Sequence, residues 1–318
     1  MSAIRGFEVV VCGGGIAGVE GLLRVRRLAG DRLRVTLVSL DRDLVYRPLA
    51  VRAPFAGSGV RRYPLERVAA HVGARWVRDR LSSVDHTSRT VQTEAGATLS
   101  YDALLLAIGA QESSPYQHAD VFSDRGGEGT LRAIVKDIEM GELGSVAFVL
   151  PHEWVWPLPL YELALITAER ARSMDRRPRI TFITAEARPL QAFGQAAGEA
   201  IVRLLREAGI RLHTGAVAQV PAPRVVRFGA TQLEAERIVT LPKLTGPAIR
   251  GLPAGTRWFV PINERCVVPA TDGRVFAAAT PPTFPSNRAE SAPSKPTPPP
   301  PASFISLASA TARPLCDR

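Results

Sequence analysis

Gly13, Gly15 and Gly18 set out a G-x-G-x-x-G turn directly behind the apolar run at residues 7–11, and residues 16–29 that follow read as a helix. In that order of strand, turn and helix, the three glycines answer three separate demands. The first permits the tight turn, the second lets backbone approach a pyrophosphate, and the third lets helix pack closely on strand. Gly14, Ile16 and Ala17 complete the turn, and the helix start offers free N–H groups to negative phosphate. The chemistry predicted is nucleotide-cofactor binding. A glycine turn without a ligand is the other reading, and a second strand at residues 34–40 argues against it.

The elements that must carry this turn belong to a chain of 318 residues, long enough for two domains with substantial cores. Apolar residues make up 46% and charged residues 22%, the balance of a globular protein, and no apolar run reaches the roughly 18 residues of a membrane span. No signal peptide is evident, so the expected location is the cytoplasm. The net charge of +10 comes from arginines scattered along helices and loops without interleaved aromatics. A basic surface is expected, with no nucleic-acid partner. Cys12, Cys266 and Cys316 lie far apart with no C-x-x-C pair, so neither a metal knuckle nor a dithiol motif is available, and no metal is expected. Cys12, at the end of a buried strand, reads as structural.

Further on, Tyr46-Arg47-Pro48-Leu49 forms a loop, a helix runs to about His71, and short strands are predicted near residues 74–77, 82–85 and 90–93. Residues 101–110 then form a buried strand closed by Gly109. The combination of the N-terminal glycine turn with Tyr101-Asp102-x-Leu104-x-x-Ala107-x-Gly109 resembles the two-dinucleotide-domain flavoproteins. The branch is that of sulfide:quinone oxidoreductases, flavocytochrome c sulfide dehydrogenases and type II NADH dehydrogenases, and the resemblance covers roughly residues 7–278. It implies an α/β fold of two Rossmann-like domains, FAD as cofactor, and an oxidoreductase passing electrons from a small-molecule donor to a quinone-like acceptor. Gly13, Gly15, Gly18, Ala107 and Gly109 fall on the family's FAD positions, and Arg47 and Pro48 on the loop near the nucleotide half of FAD. One departure is immediate. Where the family ends its second strand with an acid for the adenosine ribose, this chain has Ser39; Asp41 is either the substitute or a solvated loop carboxylate.

A second βαβ arrangement is expected from a strand at residues 145–150, a helix at about 160–172, a strand at 179–184 and a helix around 194–208. Its first turn reads Pro151-His152-Glu153-Trp154-Val155-Trp156-Pro157, without glycine. Bulky side chains fill the phosphate position and prolines remove N–H donors, so a nicotinamide cofactor is not expected to bind there in the usual way. NAD(P)H-using members of the family keep a glycine turn in this domain. The sulfide-oxidising branch has lost it but works through paired cysteines, which this chain lacks between Cys12 and Cys266. His152, Glu153 and Glu162 lie on or just after the atypical turn, which in the family faces the flavin, and are candidate acid–base groups. Their other reading is a helix start with a favourable carboxylate and tryptophans packing a domain interface.

Residues 273–278 approach what in the family becomes Ala-Gly-Asp-Ala, a motif whose aspartate contacts the flavin. Here Ala279-Thr280-Pro281-Pro282 follows and the remainder is proline-rich, a composition that reads as disordered. Loss of one nucleotide near Ala278 accounts for the change. Taking the last base of each codon with the first two of the next restores a reading that begins Gly-Asp-Ala-Thr-Asp-Phe-Pro and continues as an alanine-rich helix. The alternative is a genuine proline-rich extension that binds a partner.

The expected organisation is 1–110 as the first part of an FAD domain, 111–235 as a second Rossmann-like domain, 236–278 as the return to the first, and 279–318 as an aberrant tail. An NAD(P)H-dependent flavin reductase with a degenerate second site and a flavin-free, non-catalytic remnant are the competing readings. The sequence leaves oligomeric state and peripheral membrane contact open.

Overall fold

The computed structural model describes residues 6–55, 61–123, 128–152 and 156–278. The proline-rich stretch and Glu153 lie outside them, and the side chains of Arg47 and Pro48 are likewise not described. Two parallel sheets dominate. Their strands, in chain order, are Phe7–Cys12 (β1), Leu33–Val38 (β2), Arg75–Val77 (β3), Ala103–Leu106 (β4), Asp120–Val121 (β5), Ser145–Val149 (β6), Arg179–Ile183 (β7), Arg211–His213 (β8), Arg237–Thr240 (β9) and Val275–Ala277 (β10). The first sheet has the order β10-β4-β1-β2-β3 and the second β5-β9-β6-β7-β8. Helices Ile16–Ala29 (α1), Leu65–His71 (α2), Glu128–Met140 (α3), Leu158–Ser173 (α4) and Gln195–Glu207 (α5) connect or flank them.

Both sheets are covered on two faces, so their central strands are apolar throughout rather than alternating. In the first sheet Val9, Val11, Val35, Leu37 and Leu105 pack with Val19, Leu22 and Val25 of α1. The neighbouring residues Val10, Cys12, Leu104 and Leu106 face the opposite layer, with Leu81, Val84 and Val91 from an antiparallel sheet of Leu81–Asp85, Thr90–Thr93 and Thr98–Ser100. The second sheet repeats the arrangement. Val146, Phe148, Ile180 and Phe182 pack against α3, α4 and α5, while Ala147, Val149 and Ile183 pack against a meander of Ala218–Ala222, Val225–Phe228 and Thr231–Glu234. The two chain crossings between the sheets pair with each other, Gln111–Ser113 running antiparallel to Lys243–Thr245. This is a mixed α/β fold of two Rossmann-like dinucleotide-binding units.

Several boundaries move from their sequence-based positions for identifiable reasons. The strand expected over residues 101–110 is confined to Ala103–Leu106, because the Ala107 N–H turns to the Cys12 carbonyl at 2.7 Å and Gly109, at φ 70°, bends the chain away. Helix α4 begins two residues early, at Leu158, since prolines are tolerated in a first turn that needs no N–H donor. Helix α3 and the meander were not anticipated, although Leu131, Ile134, Val135 and Ile138 keep helical spacing and are all buried. Cys12 is 1% exposed and burial pushes its thiol up to about 12, as expected of a structural cysteine.

Candidate functional site

The C-terminal edge of the first sheet is where the glycine turn sits, between the end of β1 and the start of α1. Gly13 holds φ 120°, and a Cβ on it would lie 2.1 Å from the Ala107 carbonyl oxygen. A Cβ on Gly18 would lie 1.8 Å from the Gly13 carbonyl oxygen. These contacts lock β1, the segment after β4 and α1 together at backbone distance, which only side-chain-free residues allow. The Gly13 N–H also donates to the Val38 carbonyl at 2.8 Å, tying the turn to β2.

Gly15 is different. It is exposed, and nothing lies within 4 Å of the position its Cβ would take. It is also the N-cap of α1, has no side-chain capping bond, and is followed by a first turn without an acidic residue. The positive end of the helix is therefore left uncompensated and open, with Ile16 40% exposed and Ala17 half-buried beside it. A phosphate-bearing group fits this arrangement, because the turn is packed tight from below and open from above.

Ser39 lies beneath the turn. It is 5% exposed, its N–H donates to the Val77 carbonyl, and its Oγ would be 2.5 Å from a Cβ on Gly14. Asp41, two residues on, is exposed in the connection between β2 and Asp43–Val45. The structure thus gathers Gly13, Gly14, Gly18, Ser39 and Ala107 into one contact network, while Gly15, Asp41 and Gly109 are exposed. Arg47 and Pro48 start a short helical segment, Arg47–Arg52, whose Ala50 and Val51 are buried with Leu160 and Tyr161 of α4.

At that packing of α4 on the 47–52 segment lies Glu162. It is half-buried, and loss of hydration raises its carboxyl above the ordinary range while the Arg52 guanidinium partly opposes the rise. His152 is exposed in the turn after β6. Among the described residues no group of three or more His, Cys, Asp or Glu could hold a metal ion, and no helix is long and apolar enough to cross a membrane.

The corresponding edge of the second sheet contains residues that the sequence reading passed over. The Tyr161 hydroxyl, on α4, donates to Glu186 Oε2 at 2.6 Å, and Thr184 Oγ1 donates to the same oxygen at 3.2 Å. The Glu186 N–H in turn donates to Thr184 Oγ1 at 3.1 Å, and the N–H groups of Leu190 and Gln191 face the carboxylate. Tyr161 is fully buried and stacks on Phe182 with ring centroids 4.2 Å apart. Trp156 meets Phe193 edge-on at 5.1 Å. An acid just past the second strand of a βαβ unit was a readable signal, the same one that was sought at Ser39.

Residues 7–136 match the family described as pyridine nucleotide-disulphide oxidoreductase. Among curated proteins, a sulfide-quinone reductase of Aquifex aeolicus is 30% identical over 107 residues, covering 32% of this chain and 24% of the relative. An NADH dehydrogenase-like protein of Mycobacterium tuberculosis is 35% identical over 113 residues, covering 34% of this chain and 28% of the relative. The match therefore spans about a quarter of those relatives' lengths. Among solved structures, the sulfide:quinone oxidoreductase of Aquifex aeolicus superposes with a TM-score of 0.77 at 20% identity, covering 96% of this chain and 75% of that one. NDH2 of Plasmodium falciparum in complex with NADH superposes with a TM-score of 0.70 at 13% identity, covering 86% and 64%. These superpositions carry the two-unit fold, and the similarity to the pyridine nucleotide-disulphide oxidoreductases is carried by residues 7–136.

Proposed function

We propose that this chain is an FAD-dependent oxidoreductase that passes electrons from a small-molecule donor to a quinone or similar acceptor. The observation that carries the reading is the glycine turn itself, open at Gly15, locked at Gly13 and Gly18, and leading into a helix N-terminus without a carboxylate. Its N–H groups would hold the pyrophosphate, with Gly13, Gly14, Gly15, Ile16, Ala17 and Gly18 as the cradle and Ala107 and Gly109 beside it. Asp41, Arg47 and Pro48 would meet the nucleotide half, and Ser39 would support the turn from beneath. FAD, when bound, supplies the electron-accepting and electron-donating ring; the protein supplies binding, orientation and proton handling.

For that last task we take Glu162 from the acid–base candidates His152, Glu153 and Glu162, of which Glu153 lies outside the described residues. Its raised carboxyl keeps a proton closer to neutral pH than an exposed glutamate can, which suits a group that gives and takes protons. In this reading residues 1–110 and 236–278 form the cofactor domain and 111–235 the inserted one, and the unpaired Cys12 and Cys266 suit a reducing cytoplasm.

The test is the visible absorption spectrum of the 318-residue protein before and after FAD, and then after a reductant and decylubiquinone. A bound-flavin spectrum that bleaches and recovers on quinone addition is the expected outcome. Rapid bleaching by NADH would move the reading to an NAD(P)H-dependent reductase. No flavin uptake would reject it for this polypeptide, and uptake restored by a Gly-Asp continuation after Ala278 would identify the remnant reading as correct.

A further inference from the structure

We infer that the second Rossmann unit has closed its own dinucleotide crevice, and that Tyr161, Glu186, Trp156 and Phe193 are the residues that exclude a pyridine nucleotide from it. In an open α/β unit a dinucleotide lies across the carboxyl ends of the first two strands. Its pyrophosphate sits at the helix N-terminus and its ribose hydroxyls reach an acid after the second strand. Here those strands are β6 and β7, the helix is α4, and Glu186 is the acid three residues beyond β7. Each of the three demands fails for a stated reason.

The ribose acid is already taken. The hydroxyls of Tyr161 and Thr184 both donate to Glu186 Oε2, so this oxygen already carries two donors. A ribose hydroxyl reaching that oxygen would have to displace the Tyr161 hydroxyl, which would leave that group buried without a partner. The pyrophosphate position is short of donors. Pro157 caps α4 and Pro159 lies in its first turn, so two N–H donors are missing where phosphate would seek them. The span between the two positions is bridged, because Trp156 comes from the turn after β6 and Phe193 from the segment after β7, and their rings touch edge to face. Two independent contacts, one polar and one aromatic, therefore cross the space a dinucleotide would occupy.

The exclusion stands on these contacts alone. Its consequence for the donor rests on the flavin-dependent reading: electrons reach the flavin from a reductant that is not docked as a nucleotide on the second unit.

Calorimetric titration of the full chain with NADH and with NADPH, with and without saturating FAD, tests this. The same titrations are run on Gly15→Val, whose Cβ enters open space at the first crevice. No saturable binding is expected, or only binding that FAD or Gly15→Val abolishes and that therefore belongs to the first unit. Nucleotide binding that survives both FAD and Gly15→Val overturns the inference, and a tenfold or greater weakening of it by Glu186→Gln would locate it at the second strand. A parallel FAD titration that stays flat would reject the flavin reading while leaving the nucleotide result interpretable. Independently, Tyr161→Phe should lower the thermal midpoint by about 3–8 °C, because it removes one donor from the buried Glu186 carboxyl. An unchanged midpoint would mean that the Tyr161–Glu186 contact does not hold the crevice shut.

Discussion

The two crevices of this protein are built on the same plan and finished in opposite ways. Both lie at the carboxyl edge of a five-stranded parallel sheet, beside a helix that follows a central strand. At the first, side chains are removed: glycine carbonyls touch neighbouring backbone from below, and the space above Gly15 is empty. At the second, side chains are added: prolines enter the helix start, Tyr161 occupies the acid, and Trp156 reaches Phe193. A Rossmann unit can thus keep its fold while its ligand site closes. The fold is held by the sheet cores, and the site depends on a few residues at one edge.

That contrast can be attacked at graded cost. The largest effect is expected from Gly18→Val, which drives a side chain into the Gly13 carbonyl and should cost about 3 kcal/mol or more of stability, read as a lowered urea midpoint. If the midpoint holds, the tight lower side of the first crevice is not as described. Gly15→Val should lower the midpoint far less than Gly18→Val, by the modest cost of a β-branched N-cap, and instead weaken FAD by about 100-fold or more. It blocks two charge-assisted N–H contacts worth roughly 1.5–3 kcal/mol each, and equilibrium dialysis against FAD measures the loss. Equal effects from the two variants would erase the distinction between the locked and the open side.

In the second crevice, Trp156→Ala should cost about 0.5–1.5 kcal/mol through the lost edge contact with Phe193 plus some burial, seen as a small drop in thermal midpoint. The smallest effect is electrostatic. Burial raises the Glu186 carboxyl despite its hydrogen-bond donors, so between the ordinary and the raised value the folded state holds the extra proton. Stability contributed by that proton is full below the ordinary carboxylate range and is lost as pH rises through the raised value, with a slope no steeper than about 1.4 kcal/mol per pH unit. Calorimetric midpoints across that window should fall with pH, and Glu186→Gln should flatten the fall.

Much of the first crevice was readable because its signals are local. The spacing of Gly13, Gly15 and Gly18 and the apolar run before them fall within a dozen residues, and backbone geometry translates them directly into a turn. The Tyr101 to Gly109 segment was readable for the same reason, although its strand proved shorter once Ala107 turned toward Cys12. The second crevice was only half legible. The absence of glycine between Pro151 and Pro157 excluded a cradle, but nothing in the spacing of Tyr161 and Glu186, 25 residues apart, marks them as partners. Helix α3 stood outside the expected elements although Leu131, Ile134, Val135 and Ile138 carry its periodicity.

The sequence by itself determined that a strand, a tight turn and a helix stand at residues 7–29, and that the matching stretch Pro151–Pro157 has no glycine to make the same turn. Both follow from which backbone conformations glycine and proline permit. Only the tertiary structure decided that Gly15 opens to solvent while Gly13 and Gly18 are clamped, that Glu162 is raised where α4 meets the 47–52 segment, and that Tyr161 closes on Glu186. Those outcomes depend on distance and burial between residues far apart in the chain, and they are set when the two sheets bury their faces rather than by any local run of residues.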